Sequence, residues 1–142
     1  AVSWAGAKGL MQLMPSTARA YGLAVEQMEN PELNVKAAVA NIKDLNKIFA
    51  KRVQDPTERI KFIIAAYNSG AGHILDAIAL AEKYGKNPQE WDNNVSVTLQ
   101  WKANPEYFND EVCRNGYFRG SQTITYVKKV EDCFKYFSSN VK

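Results

Sequence analysis

Apolar side chains recur at intervals of three and four along most of this chain, the period of helices that bury one face. Asn34 can cap a helix running roughly through Val53, with Val35, Val39, Ile42, Leu45 and Ile48 or Phe49 on one stripe. Asp55-Pro56-Thr57-Glu58 joins an N-cap, a proline at the first helical position and an acid at the third. A second helix is therefore predicted to start at once and to carry Ile60, Ile63, Ile64 and Tyr67. Gly70-Ala71-Gly72 breaks it. The next helix places Ile74, Ile78 and Ala81 on one stripe and stops near Gly85, ahead of Asn87-Pro88. A last helix is predicted from about Ser121, with Ile124, Val127, Val130, Phe134 and Phe137 on its core face. Near the N-terminus, Pro15 suits the first turn of a helix that Gly22 ends.

One segment departs from this period. Val95 to Trp101 alternates apolar and polar residues as a half-buried strand would. A lone strand has no partner for its backbone groups, and the family resemblance set out below implies a helix here, so the segment is assigned to a helix and the fold class to all-α, helices packed on helices. The loop-rich part of the chain is roughly residues 85–120. Its aromatic residues Trp91, Trp101, Tyr107, Tyr117 and Phe118 offer flat faces to a ligand, but for any single one of them burial of its own area is the favoured reading.

With 142 residues, 46% of them hydrophobic, the chain has the size and the apolar content of one domain with a real core. No apolar run approaches the length needed to span a bilayer, and no charged-then-apolar leader opens the sequence. A net charge of +3, scattered among both signs, favours contact with an anionic polymer and gives no sign of nucleic-acid binding. Cys113 and Cys133 have no CxxC or histidine partner, which leaves a disulfide and two free thiols about equally open and makes a zinc site unlikely on spacing. His73, the only histidine, reads as a local cap or packing residue.

Three segments carry candidate chemistry. In the first, Gly6 and Gly9 suit a loop lining a groove, and Leu10, Met11, Leu13 and Met14 would pass for core filler were Gln12 not set among them. In the second, Ala66-Tyr67-Asn68-Ser69-Gly70 puts a phenol and an amide at a helix end, suited to hydrogen bonding with sugar hydroxyl and acetamido groups. Asn68 as a C-terminal cap and Tyr67 as a core residue are the plain alternatives. The third, Gln122-Thr123-Ile124-Thr125-Tyr126-Val127, opens the last helix.

Taken in order, these segments resemble the signatures of the lytic transglycosylases, the SLT-domain enzymes of bacterial cell walls. Ser3, Ala5-Gly6-Ala7 and Gly9 to Pro15 resemble the first signature, Ala66-Tyr67-Asn68 followed by Gly70 the second, and Gln122-Thr123 with Tyr126-Val127 the third. His73 to Ala77, Asn87-Pro88 with Trp91, and Gly116 to Gly120 resemble the membrane-bound murein branch of that family, so the likeness runs from Ala1 to about Tyr136. The resemblance implies a lysozyme-like, goose-type helical fold over a single domain, residues 1–142. It implies a lyase that cuts the β-1,4 bond between N-acetylmuramic acid and N-acetylglucosamine and leaves a 1,6-anhydro sugar. One glutamate serves as acid and base there, kept partly protonated by an apolar pocket, in place of the two carboxylates of most glycosidases.

The same resemblance assigns substrate contacts to Ser3, Gln12, Met14, Tyr67, Asn68, Gln122 and Tyr126, with Tyr126 supporting the catalytic residue from behind. Gln122 stands where the family has Glu, and its amide has no charge with which to polarise a neighbour. The family's catalytic Glu precedes the first signature and falls upstream of Ala1, so the expectation is a chain that binds glycan without efficient turnover. Glu26, Glu29, Glu32, Glu58 and Glu111 lack the apolar, helix-end setting that the chemistry needs. No cofactor or metal is implied. The implied partner is peptidoglycan, the implied place the periplasmic side of the bacterial envelope, associated with the outer membrane through a longer parent protein that carries a preceding regulatory or solute-binding-like domain. A noncatalytic wall-binding module and a lysozyme-type hydrolase of the same fold are the alternatives.

Overall fold

The computed structural model describes the backbone of residues 30–140 and the side chains of residues 30–136. The chain divides into two compact units, Ala1–Asp44 and Leu45–Lys142, with helix α1 (Pro31–Ala50) crossing the division. Among the described residues there is no strand, and the all-α expectation is borne out.

Helix α1 starts one turn earlier than expected. Asn30, not Asn34, receives the first-turn N–H groups: its side chain accepts from Leu33 N at 3.2 Å and its carbonyl from Asn34 N at 2.9 Å. Asn30 precedes Pro31, which lacks an N–H to satisfy, and Glu32, whose charge suits the positive helix end. Asn34 is instead fully buried inside the helix. The buried residues of this helix are Asn34, Ala37, Ala38, Leu45 and Phe49, and Val35, Val39 and Ile42 stand exposed, against expectation.

Helix α2 (Pro56–Ser69) begins as predicted, with the Asp55 carboxylate accepting from Thr57 N at 2.8 Å. Its buried face is Phe62, Ala65 and Ala66, a spacing of three and four that leaves Ile63, Ile64 and Tyr67 half-buried and Ile60 exposed. Gly70 alone separates α2 from α3 (Ala71–Lys83), at φ +91°, where a side chain would be strained. Helix α3 buries Ile74, Ala77, Ile78, Leu80 and Ala81, and ends at Tyr84 before Gly85 at φ +81°.

A kinked turn, Trp91–Val95, with Asn93 at φ +62°, leads into α4 (Ser96–Trp101). The alternating segment is thus mostly helical, as assigned. Its alternation is local: Val95 and Leu99, four apart, face the core, while buried Thr98 satisfies its hydroxyl on Ala77 O at 2.6 Å. A single turn, α5 (Pro105–Phe108), is capped by Asn104, which accepts from Glu106 N at 3.0 Å. Helix α6 (Ser121–Asn140) buries Thr123 and Val127 and half-buries Ile124 and Val130. Phe134, expected inside, is 72% exposed. The side chain of Phe137 lies outside the described residues.

The core of the second unit centres on Phe62, which meets Phe49 at 6.0 Å and the edge of Trp91 at 5.6 Å between ring centroids. Burying each such ring contributes about 2–3 kcal/mol. Glu58, in the first turn of α2, accepts from Trp91 N at 2.8 Å and pairs with Lys61 at 2.9 Å, fixing the kinked turn against α2. Helices α2 and α6 lie side by side and antiparallel, because Asn68 meets Thr123 at one end and Thr57 and Ile60 share a groove with Val130 and Phe134 at the other. That groove encloses about 330 Å³.

Candidate functional site

The last turn of α2 and the first turns of α6 form a polar corner. Thr123, 1% exposed, donates from Oγ1 to Asn68 Oδ1 at 2.8 Å, so the amide of Asn68 keeps its NH2 donors for another partner. Ser69 is turned back on its own helix, donating to Ala65 O at 2.8 Å, and Gly70 N closes α2 on Ala66 O at 2.7 Å. These bonds hold the amide at the helix end.

Tyr67 and Tyr126 flank the same corner, each half-buried. Burial pushes the Tyr67 phenol up to about 12, and the neighbouring Tyr126 phenol adds to the shift. Burial also raises Tyr126. Both rings therefore keep their protons across the physiological range. Two phenols and an amide thus gather near this corner, all uncharged, a composition that suits hydroxyl and acetamido groups of a saccharide and provides no proton transfer near neutral pH. Gln122 is exposed beside it.

Of the sequence-predicted site residues, Tyr67, Asn68 and Tyr126 are thus brought together, with Gln122 adjoining. Ser3, Gln12 and Met14 lie outside the described residues, as do Glu26 and Glu29. Glu58 sits some 15 Å along α2 from Asn68, at about 1.5 Å per residue, and its carboxylate is engaged by Trp91 N and Lys61. Glu111 pairs with Lys83 at 3.6 Å. The two thiols considered for a bridge are both free: Cys113 is half-buried in the loop before α6, whereas Cys133 stands on the exposed face of α6.

The aromatic residues mostly face one another. Trp101 stacks on Tyr107 at 4.7 Å, takes the edge of Tyr84 at 5.9 Å and has Lys86 Nζ 6.0 Å from its ring centre. Trp91 is in the core, and Phe118 stacks on His73 at 4.3 Å. Of the five loop-region aromatics Tyr117 alone is exposed, at 58%, touching Phe108 edge-on.

Sequence reasoning missed a buried ionic cluster. Lys102, fully buried, places Nζ 2.6 Å from Asp76 Oδ2 and 2.7 Å from His73 Nδ1. Asp76 also accepts from Arg114 N at 3.0 Å, Asn115 N at 2.9 Å and Asn115 Nδ2 at 3.1 Å. Burial alone would raise the Asp76 carboxyl, but the Lys102 ammonium and these N–H groups outweigh it and hold the acid below its ordinary value. Burial, and then the Lys102 charge, lower His73, with Asp76 opposing. An acid in the apolar run Ile74 to Ala81 was the one available signal.

An all-helical unit with an uncharged, hydrogen-bonding corner is the class of structure these residues define. The chain belongs to the transglycosylase SLT domain family, whose family model matches residues 1–90, and its helices fit the lysozyme-like fold of that family. It is 35% identical over 132 residues to a membrane-bound lytic murein transglycosylase F of Maricaulis maris, covering 93% of this chain and 28% of that protein. Proteins of the same name from Desulfosudis oleivorans and Cellvibrio japonicus are 36% and 31% identical over 92% and 95% of the chain, and 27% and 26% of their own lengths. The chain therefore spans about a quarter of the length of the curated relatives it matches.

Proposed function

We propose that this chain is a peptidoglycan lytic transglycosylase domain, acting on the β-1,4 bond between N-acetylmuramic acid and N-acetylglucosamine and leaving a 1,6-anhydro-muramoyl end. The observation that carries the reading is the Thr123–Asn68 hydrogen bond, which joins the second and third signature segments into one saccharide-suited corner in a chain of the SLT family. In this reading Tyr67 and Asn68 hold the sugars around the scissile bond, a substrate-binding role that the resemblance also gives to Gln12, Met14 and Ser3. Tyr126 supports the reacting carboxyl from behind. That carboxyl is the glutamate that the resemblance implies. The corner itself supplies binding and orientation, consistent with its uncharged donors. Gln122 contributes hydrogen bonds without charge. No cofactor enters the scheme.

The relatives' name, membrane-bound lytic murein transglycosylase F, supports a place at the bacterial cell envelope, and a net charge of +3 favours an anionic wall polymer. We propose a place on the periplasmic side, within a longer protein that carries a preceding regulatory or solute-binding-like domain.

Incubation with purified peptidoglycan, followed by sedimentation and mass spectrometry of the released fragments, tests the reading. Cosedimentation is expected, with 1,6-anhydro ends on any fragment released. Reducing-end products would point to a hydrolase instead, and failure to bind the wall would overturn the proposal.

A further inference from the structure

We infer that Asp76 and Lys102, together with His73, are positioning residues that seat the loop before α6 and thereby set the Asn68–Thr123 corner. The inference rests on the glycan-binding reading for what the corner does, and on geometry alone for how it is held.

A fully buried ammonium is tolerated only when its charge and protons are met, and Lys102 is met by Asp76 and His73. The pair does more than neutralise itself. The remaining acceptor capacity of Asp76 is taken by the backbone of Arg114 and Asn115 and by the Asn115 side chain, so the carboxylate gathers three consecutive features of one loop. Asn115 also donates from Nδ2 to Gly72 O at 2.9 Å. It fits there because residue 72 has no side chain: a Cβ at that position would lie 2.5 Å from Asn115 Oδ1.

Two further contacts carry the constraint forward. Phe118 N donates to Lys102 O at 3.0 Å while its ring stacks on His73. Gly120 then passes so close to α4 that a Cβ there would come within 2.9 Å of Leu99 Cγ and 3.1 Å of Leu99 O. Ile124 N bonds to Gly120 O at 3.0 Å, and Thr123 reaches Asn68. The route from the buried pair to the corner is thus a continuous run of bonded and packed backbone. His73 takes part as the neutral tautomer, since Nδ1 faces the ammonium and must accept. The groups that bear on it are Lys102 at the C-terminal end of α4, Asp76 from α3 and the Phe118 ring, with the Cys113 thiol close to the Asp76–Lys102 pair.

Two substitutions separate positioning from bulk stability. Lys102→Met keeps the volume of the side chain and removes its charge, and Gly72→Ala displaces the Asn115 side chain while leaving the buried pair intact. Each is titrated with soluble, uncrosslinked peptidoglycan strands by NMR, and amide hydrogen exchange is followed in parallel. Folded variants should bind about tenfold more weakly and exchange faster at Phe118 and Ile124, with Phe62 unchanged. In the wild type, affinity should fall as the pH drops through the titration of His73, and in Lys102→Met that fall should move to higher pH. Faster exchange with affinity within about twofold of wild type makes the cluster structural only and overturns the proposal. Unchanged exchange overturns it as well. Should the wild type bind no strand at all, the glycan reading fails on its own, and exchange at Phe118 and Ile124 alone decides the positioning claim.

Discussion

Thr123 and Asn68 lie 55 positions apart in the chain, yet their side chains meet at 2.8 Å, one of them fully buried. The bond joins the end of α2 to the start of α6. Thr123→Val keeps the shape and removes the donor, leaving Asn68 Oδ1 without this partner. A loss of about 1 kcal/mol in stability is expected by denaturant unfolding, together with weaker binding of peptidoglycan strands. Unaltered binding would show that the amide's orientation does not depend on Thr123.

Asp55 caps α2 at the end away from the corner. Asp55→Ala should lower stability by about 1 kcal/mol in urea unfolding and leave glycan affinity as it was. A change in affinity would mean that the two ends of α2 are coupled.

Phe62 is completely buried between Phe49 and Trp91. Phe62→Ala should cost about 3–5 kcal/mol, a large share of a domain's stability, read as a lower midpoint in urea unfolding followed by circular dichroism.

Glu58 binds Trp91 N and Lys61. Glu58→Gln retains an acceptor for Trp91 N and loses the ion pair, so a stability change below about 1 kcal/mol is expected, with any release of anhydro products unchanged. Abolished release would make Glu58 a catalytic acid and contradict its structural assignment.

Acid should weaken the fold through two groups. His73 is held below its ordinary value of 6.5, so the unfolded chain binds its proton first on acidification. Its contribution is fully present above pH 6.5 and is lost as the pH falls through the titration of the folded state. Asp76 is held below its ordinary value of 3.8, and its contribution is present above that pH and lost beneath it. Urea midpoints should fall from pH 7 towards pH 4, and His73→Gln should flatten the upper part of that slope. A wild-type midpoint independent of pH between 7 and 5 would refute the His73 assignment.

Local signals in the sequence were self-contained enough to read. Asp55-Pro56 starts a helix because cap, proline and acid act within one turn, and Gly70 stops one because its φ of +91° needs no distant partner. The faces were harder. Period specifies which side chains share a stripe, not how far a neighbouring helix extends alongside them. Phe134 follows the α6 stripe, but it lies level with Thr57 and Ile60, where α2 begins, and stands at the mouth of a groove. Asn30 and Asn34 are both plausible caps in isolation, and Pro31 decides between them. At the proposed site, the resemblance singled out Tyr67, Asn68 and Tyr126, which the fold brings near one another. Lys102 and Asp76 were not, because a cation just past the end of α4 and an acid on α3, 26 residues apart, look like two solvated charges until the fold places them together.

The single-residue break at Gly70 also bears on the order in which the molecule assembles. Helices α2 and α3 are consecutive, so their mutual contacts close short loops, whereas Asp76 waits for Arg114 and Asn115, 38 and 39 positions away. The loop before α6 is then expected to dock after the barrier to folding has been crossed. Gly72→Ala, which disturbs only that docking, should steepen escape from the native state and leave the refolding limb of a chevron nearly unmoved. A slower refolding limb would place the α6 junction in the nucleus instead.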